Sequence, residues 1–179
     1  MFIIRDENLE DVSARESLLD LAFGSSRFTK TCERLREGRI PAQGLALAVE
    51  HQGELVATVR LWHVTIGAVR EALILGPLAV AHAFQSKGLG ARLTCAVLNR
   101  ASLAGHSAIL LVGDEPYYKR FGFSRHFTDG IWLPGPVEGH RFLGLELQSG
   151  ALSGAWGLVK ASGDLVMPIS TIEGLKQAA

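Results

Sequence analysis

Apolar residues recur along this chain in two rhythms, one of strands and one of helices. Phe2 to Arg5 is a short, apolar, β-branched run and predicts a first strand. Asn8 stands where a helix N-cap belongs. Val12, Leu18, Leu19 and Ala22 then fall on one face of a helix over Leu9 to Phe23, which Gly24 ends. A second helix is expected from Arg27 to Glu37, closed by Gly38. Leu45 to Glu50 and Leu55 to His63 read as strands of a hairpin around Gln52-Gly53. After a turn near Gly67, Glu71 to Val80 is the third strand of this meander. Gly76-Pro77 interrupts it, since proline gives a ladder no donor and glycine in a strand marks a bulge or bend.

Helical spacing returns at Leu89 to Leu103. It puts Leu89, Leu93, Val97 and Ala101 on one side and Arg92 and Asn99 on another, with Gly105 at its close. Ala108 to Val112 is nearly all apolar, as in a strand buried on both faces, and a right-handed crossover should bring it beside the third strand. Asp114 and Pro116 open a short helix that carries Tyr117 to Phe121. Phe127 to His140 reads as a loop around Trp132, expected to lid a substrate site. Phe142 to Leu147 alternates as a strand, and Gly150 to Lys160 gives a turn and a last strand. Together they predict one domain over 1–179, with a core of about residues 2–160 and a peripheral tail at 168–179.

Apolar residues make up 47% of the 179, which argues against disorder. Lys+Arg and Asp+Glu both count 18, so no net charge points to nucleic acid or an anionic membrane. The two cysteines, Cys32 and Cys95, make neither a disulfide framework nor a metal cluster, and the six histidines are dispersed. Cys95 falls in the apolar helix and is expected to be buried. Acids stand near the N-terminus, where a signal peptide has a basic start, and no stretch has transmembrane length without charge. A cytoplasmic protein is expected, with no membrane and no nucleic-acid partner.

The chemistry concentrates at Gln85-Ser86-Lys87-Gly88-Leu89-Gly90-Ala91, between the third strand and the helix. A strand that turns through glycines into a helix gathers backbone N–H groups at the positive end of the helix dipole, where phosphates bind. It is not a P-loop, because Lys87 precedes its glycine, and it is not a dinucleotide fingerprint, because Leu93 stands where a third glycine belongs. There is no Gly-x-Ser-x-Gly elbow.

The Gln-x-x-Gly-x-Gly pattern resembles the pyrophosphate loop of the GNAT N-acetyltransferases. Downstream, Tyr117-Tyr118-Lys119-Arg120-Phe121-Gly122-Phe123 looks like the GNAT tyrosine followed four residues later by Gly-Phe. Leu78-Ala79-Val80, Leu111-Val112-Gly113-Asp114 and Gly150-Ala151-Leu152 also resemble a branch of uncharacterised bacterial acetyltransferases. The likeness covers roughly residues 44 to 160 and is most specific from Gly76 to Phe123.

The resemblance implies an α/β GNAT fold with a mixed, mostly antiparallel central sheet flanked by helices. It implies acetyl-CoA as donor and a primary amine, small molecule or peptide, as acceptor. Backbone groups of Leu78, Ala79 and Val80 would pair with pantetheine amides, and an N–H near Val80 would polarise the thioester carbonyl. The loop Gln85, Ser86, Lys87, Gly88, Leu89, Gly90 and Ala91 would hold the pyrophosphate, with Lys87 and Arg92 near it or solvated. The first two helices would line the acceptor site. Tyr118, by its spacing to Gly122-Phe123, would contact the cofactor and protonate the departing thiolate; the bland alternative is a tyrosine that only packs.

For the amine proton, Glu71 is the nearest acidic candidate, with His63 and Asp114 behind it, and the base stays unassigned. His82 does not occupy the branch's histidine position, and Ala83 replaces the acid expected beside it. Two rival readings remain: transfer of a longer acyl group, and a coenzyme A-binding module without turnover. A homodimer is left open.

Overall fold

An eight-stranded sheet runs through the computed structural model, which describes residues 1–167. The tail expected to be peripheral, 168–179, lies outside the described residues. The strands are β1 (Phe2–Asp6), β2 (Ala46–His51), β3 (Glu54–Ile66), β4 (Arg70–Val80), β5 (Ala108–Val112), β6 (Ile131–Trp132), β7 (Phe142–Glu146) and β8 (Gly157–Ala161). Their order is β1-β2-β3-β4-β5-β7. Every pair on this path is antiparallel except β4 with β5. The long β3 pairs with β2 along its first half and with β8 at Val64–Ile66.

Two helices cover opposite faces. Asn8 caps as its position predicts: its Oδ1 accepts from the N–H groups of Glu10 at 3.0 Å and Asp11 at 3.2 Å, and Asp11 Oδ2 accepts from Asn8 N–H at 2.8 Å. A 3₁₀ turn, Leu9–Asp11, leads into α1, Val12–Phe23. Helix α2, Leu89–Leu103, lies on the other face and buries Leu89, Leu93, Val97 and Ala101, the four positions its spacing selects. They meet Leu47, Val49, Val59, Leu61, Leu73 and Leu75.

Several expectations fail for identifiable reasons. Val12 and Ala22 are exposed; α1 buries Arg15 with Leu18 and Leu19. Arg15 is admitted because Glu7, its side chain only 6% exposed, pairs with both Arg15 and Arg60. Cys95 is exposed, since Arg92, Cys95 and Asn99 share the solvent stripe of α2. The helix expected from Arg27 to Glu37 is two 3₁₀ turns, Ser25–Thr29 and Thr31–Leu35, separated by an extended Lys30. Bonds to other parts of the fold take precedence there over helical spacing. Thr31 Oγ1 donates to Pro136 O at 2.6 Å, Arg34 Nη1 to Pro134 O at 2.7 Å, and Arg27 Nε to Asp20 at 2.8 Å.

In β4 the facing of side chains changes partway. Leu73 and Leu75 point to the α2 face, and so do Leu78 and Val80. Odd positions give way to even ones because β4 has one residue more than β3: Leu61 pairs with Leu75, and Val59 with Leu78. The extra residue lies at Gly76-Pro77, where the sequence predicts an interruption. Trp62 Nε1 fixes the bend by donating to Gly76 O at 2.6 Å.

Exchanging Glu7 for Gln leaves two guanidinium groups without their shared carboxylate. The expected loss is about 3–5 kcal/mol of stability, read from urea unfolding. An unchanged midpoint would show that the pairing carries no stability.

Candidate functional site

Beyond its bend, β4 leaves its parallel neighbour. The β4–β5 ladder holds only Leu73 with Ile109 and Ile74 with Leu110. From Leu75 to Val80 one edge of β4 has no strand beside it among the described residues, while the other stays paired with β3. A wedge therefore opens in the middle of the sheet, with a cavity at each end.

The smaller cavity, about 300 Å³, is lined by Val80, Phe84, Gln85, Ser86, Gly88 to Ala91, Tyr117 and Arg120. The first intrahelical bond of α2 runs from Arg92 N–H to Gly88 O at 3.0 Å, so the N–H groups of Leu89, Gly90 and Ala91 precede the ladder. Gly88 turns the chain into the helix at φ +76°, a conformation that glycine adopts without penalty. Gln85 Nε2 donates to Val80 O at 3.3 Å and ties the loop to the open strand. Lys87 does not line this cavity; its Nζ sits 4.9 Å over the Phe84 ring. Arg92 is exposed and also outside it. The basic group present is Arg120, which lies over the Tyr117 ring and donates from Nε to Tyr117 O at 2.9 Å. The sequence pattern singles out neither Tyr117 nor Arg120, although both stand within two residues of Tyr118.

Leu78 lines the larger cavity, of about 810 Å³, while the buried Ala79 packs on Leu18 and Leu19 of α1. Its other walls are the two 3₁₀ turns, Leu75 to Pro77, Val112 to Asp114, Tyr118, Pro136 to Glu138 and Arg141. Tyr118 ends the short helix α3, Glu115–Tyr118. The Cδ2–Cε2 side of its ring packs against Gly113, where an added Cβ would collide with it, so only glycine seats it. Phe123 and Tyr117 meet the ring edge-on at 5.8 and 4.9 Å. Burial, followed by the neighbouring Tyr117, pushes the Tyr118 phenol well above the usual tyrosine range. It stays protonated throughout the neutral range.

Among the candidate bases, Asp114 lines the larger cavity, and its side chain makes no cap bond. Glu71 is exposed at the distant start of β4, and the His63 ring lies tilted against His106 at 5.4 Å; neither lines either of these two cavities. His82 is exposed at the start of a 3₁₀ turn, also outside both. Trp132 lines neither of these two cavities. It sits in β6, edge-on to Trp156 at 4.8 Å, and the part of the 127–140 segment that lines the larger cavity is Pro136 to Glu138. Cys32 lines the cavity too, and burial pushes its thiol up, away from the reactive thiolate.

This arrangement has known counterparts. A family model described as acetyltransferase (GNAT) domain matches residues 42–125. The uncharacterized N-acetyltransferase YhbS of Escherichia coli is 28% identical over 159 residues, spanning 88% of this chain and 95% of its own. YjhQ, another uncharacterized N-acetyltransferase of E. coli, is 30% identical over 145 residues, 78% of this chain and 79% of its own. The crystal structure of YhbS in complex with CoA superposes with a TM-score of 0.77 at 27% identity, covering 90% of this chain and 89% of that one. A GNAT family acetyltransferase from Brucella melitensis, solved with acetyl-CoA, shares the fold at a TM-score of 0.63 and 24% identity over 96% of this chain and 98% of its own. The chain belongs to the GNAT family of N-acetyltransferases. Among the described residues no helix is long and apolar enough to cross a membrane.

Gly113→Ala is expected to displace the Tyr118 ring and to cost about 1–3 kcal/mol. Thermal unfolding and the tyrosine ring signals in NMR check this; an unmoved ring would mean that Gly113 is not its seat.

Proposed function

We propose that this chain transfers the acetyl group of acetyl-CoA to a primary amine, as a single domain, in the cytoplasm. The observation that carries the reading is the wedge between β4 and β5, with a helix N-terminus at one end and Tyr118 at the other. The residues fit such a donor. The unpaired edge at Leu78, Ala79 and Val80 offers backbone groups to the pantetheine amides by strand addition. The N–H groups of Leu89, Gly90 and Ala91 hold the pyrophosphate, with Gly88 and Gly90 admitting close approach. Gln85 and Ser86 shape this loop, Lys87 stands at its rim, and Arg120 adds positive charge.

When bound, acetyl-CoA supplies the activated acetyl thioester. The Val80 N–H polarises its carbonyl oxygen, an oxyanion-type contact. Asp114 orients the incoming amine and, directly or through water, takes its proton. Tyr118 keeps its proton at Oη and delivers it to the departing sulfur. Burial keeps the Tyr118 phenol protonated at neutral pH, the state from which a proton donor must start, while making it a weaker acid than a free tyrosine.

Tyr118→Phe should lower kcat on a true acceptor by roughly 100-fold or more. In the wild type, the rate should rise with pH as the acceptor loses its proton and should show no decline from Tyr118 below about pH 10. Unchanged turnover in the variant would remove the acid role. Acetyl-CoA or CoA at ~100 times its dissociation constant should stabilise the fold by about 2.7 kcal/mol in thermal unfolding, and ATP should do little. No stabilisation by either CoA species would overturn the donor assignment.

A further inference from the structure

The larger cavity has a feature that acetyl transfer to a simple amine leaves unused. Arg36 lines it with a side chain only 11% exposed. Its Nη2 donates to Glu33 Oε2 at 3.0 Å. Its Nε is buried and has no hydrogen-bond partner among the described residues. The guanidinium lies against the bend of β4, with Nη1 3.4 Å from where a Gly76 side chain would begin. A buried donor on a cation is costly to leave unpaired. Arg27, the other buried arginine of this wall, shows the contrast: Asp20 and Glu16 both pair with it.

The rest of the lining favours an anion beside Arg36. Lys30 and Arg141 face the same cavity, and no carboxylate lies within 4.0 Å of either among the described residues. Of the acids there, Glu33 is taken up by Arg36, and the Glu138 side chain is 67% exposed, turned largely to solvent. Asp114 is left, next to Tyr118, for the amine. The cavity thus has one carboxylate on the Asp114–Tyr118 side and a guanidinium against the bend of β4 at Gly76.

We infer that the acceptor is a zwitterionic amine whose oxyanion group, carboxylate or phosphate, is received by the guanidinium of Arg36. This rests on the acetyl-transfer reading and narrows it to one class of acceptor. A guanidinium suits either oxyanion, because its fixed N–H donors match both geometries.

The test pairs acceptors that differ only in the anion. Free amino acids are compared with their carboxamides, and O-phosphoethanolamine with ethanolamine, by thiol release from acetyl-CoA. In the wild type the acidic member of at least one pair should lead by roughly 10- to 100-fold in kcat/KM. The carboxylate and phosphate arms tell the two oxyanions apart. In Arg36→Gln the lead should fall to about threefold or less, mainly through KM, and Arg36→Lys should keep part of it. Neutral members that match or outrun the acids would overturn the inference, as would a lead that survives Arg36→Gln.

Thermal unfolding of the CoA-saturated protein with the same compounds separates the two readings. Stabilisation by the acids that is lost in Arg36→Gln upholds the anion site even if no amine is acetylated, and only the transfer reading then falls. CoA stabilisation with none from any acid overturns the anion site and leaves the donor site standing.

Discussion

One extra residue in β4 sets the terms for the rest of the molecule. A strand that keeps step with both neighbours would continue the β4–β5 ladder and close the sheet. The bulge at Gly76-Pro77 keeps step with β3 alone, so β4 stays anchored on one side and swings free on the other. The bond from Trp62 to Gly76 O holds the bend from within the sheet. The freed edge exposes backbone donors and acceptors that a folded sheet normally satisfies, and a ligand that takes them completes the sheet. The reset alternation also directs Val80 toward one cavity, Leu78 toward the other, and Ala79 into α1.

Around this wedge the chemistry is arranged by packing more than by charge. Gly113 has no side chain, so Tyr118 can lie on the backbone where β5 ends. The same burial that seats the ring keeps its proton in place. At the opposite end, the α2 N-terminus needs no side chain to attract an anion. Both ends are therefore set by backbone geometry, which is pre-organised before any substrate arrives.

The local patterns of the sequence identify the elements that build the wedge. Leu89, Leu93, Val97 and Ala101 announce the buried face of α2, Ala108–Val112 announces β5, and Gly76-Pro77 announces the bend. Each signal depends on neighbours in the chain alone. The failures share the opposite cause. Arg15 is inside because of Glu7, which is eight residues away in the link after β1. The segment 25–35 is held by carbonyls about a hundred residues on, at Pro134 and Pro136. Glu71 stands on the right strand but at its wrong end. The general habit of basic residues to be solvated hid Arg36 and Arg120, whose places are fixed only when distant elements meet.

A continuous line of charges, Arg60–Glu7–Arg15–Glu16–Arg27–Asp20, runs from β3 through α1 to the cavity wall. The wall itself, the two 3₁₀ turns, has little regular structure of its own. Clasps at its edges keep it in place: Arg27 at one end, Thr31 and Arg34 on the loop at the other. Leu35 also anchors this panel in the apolar cluster of Trp62, Val64 and Ile74, while α2 packs in a different cluster on the other face. On the acetyl-transfer reading proposed above, donor contacts fall on the open strand and the α2 N-terminus and acceptor contacts largely on this panel, so re-facing its inward residues would present different amines to one thioester.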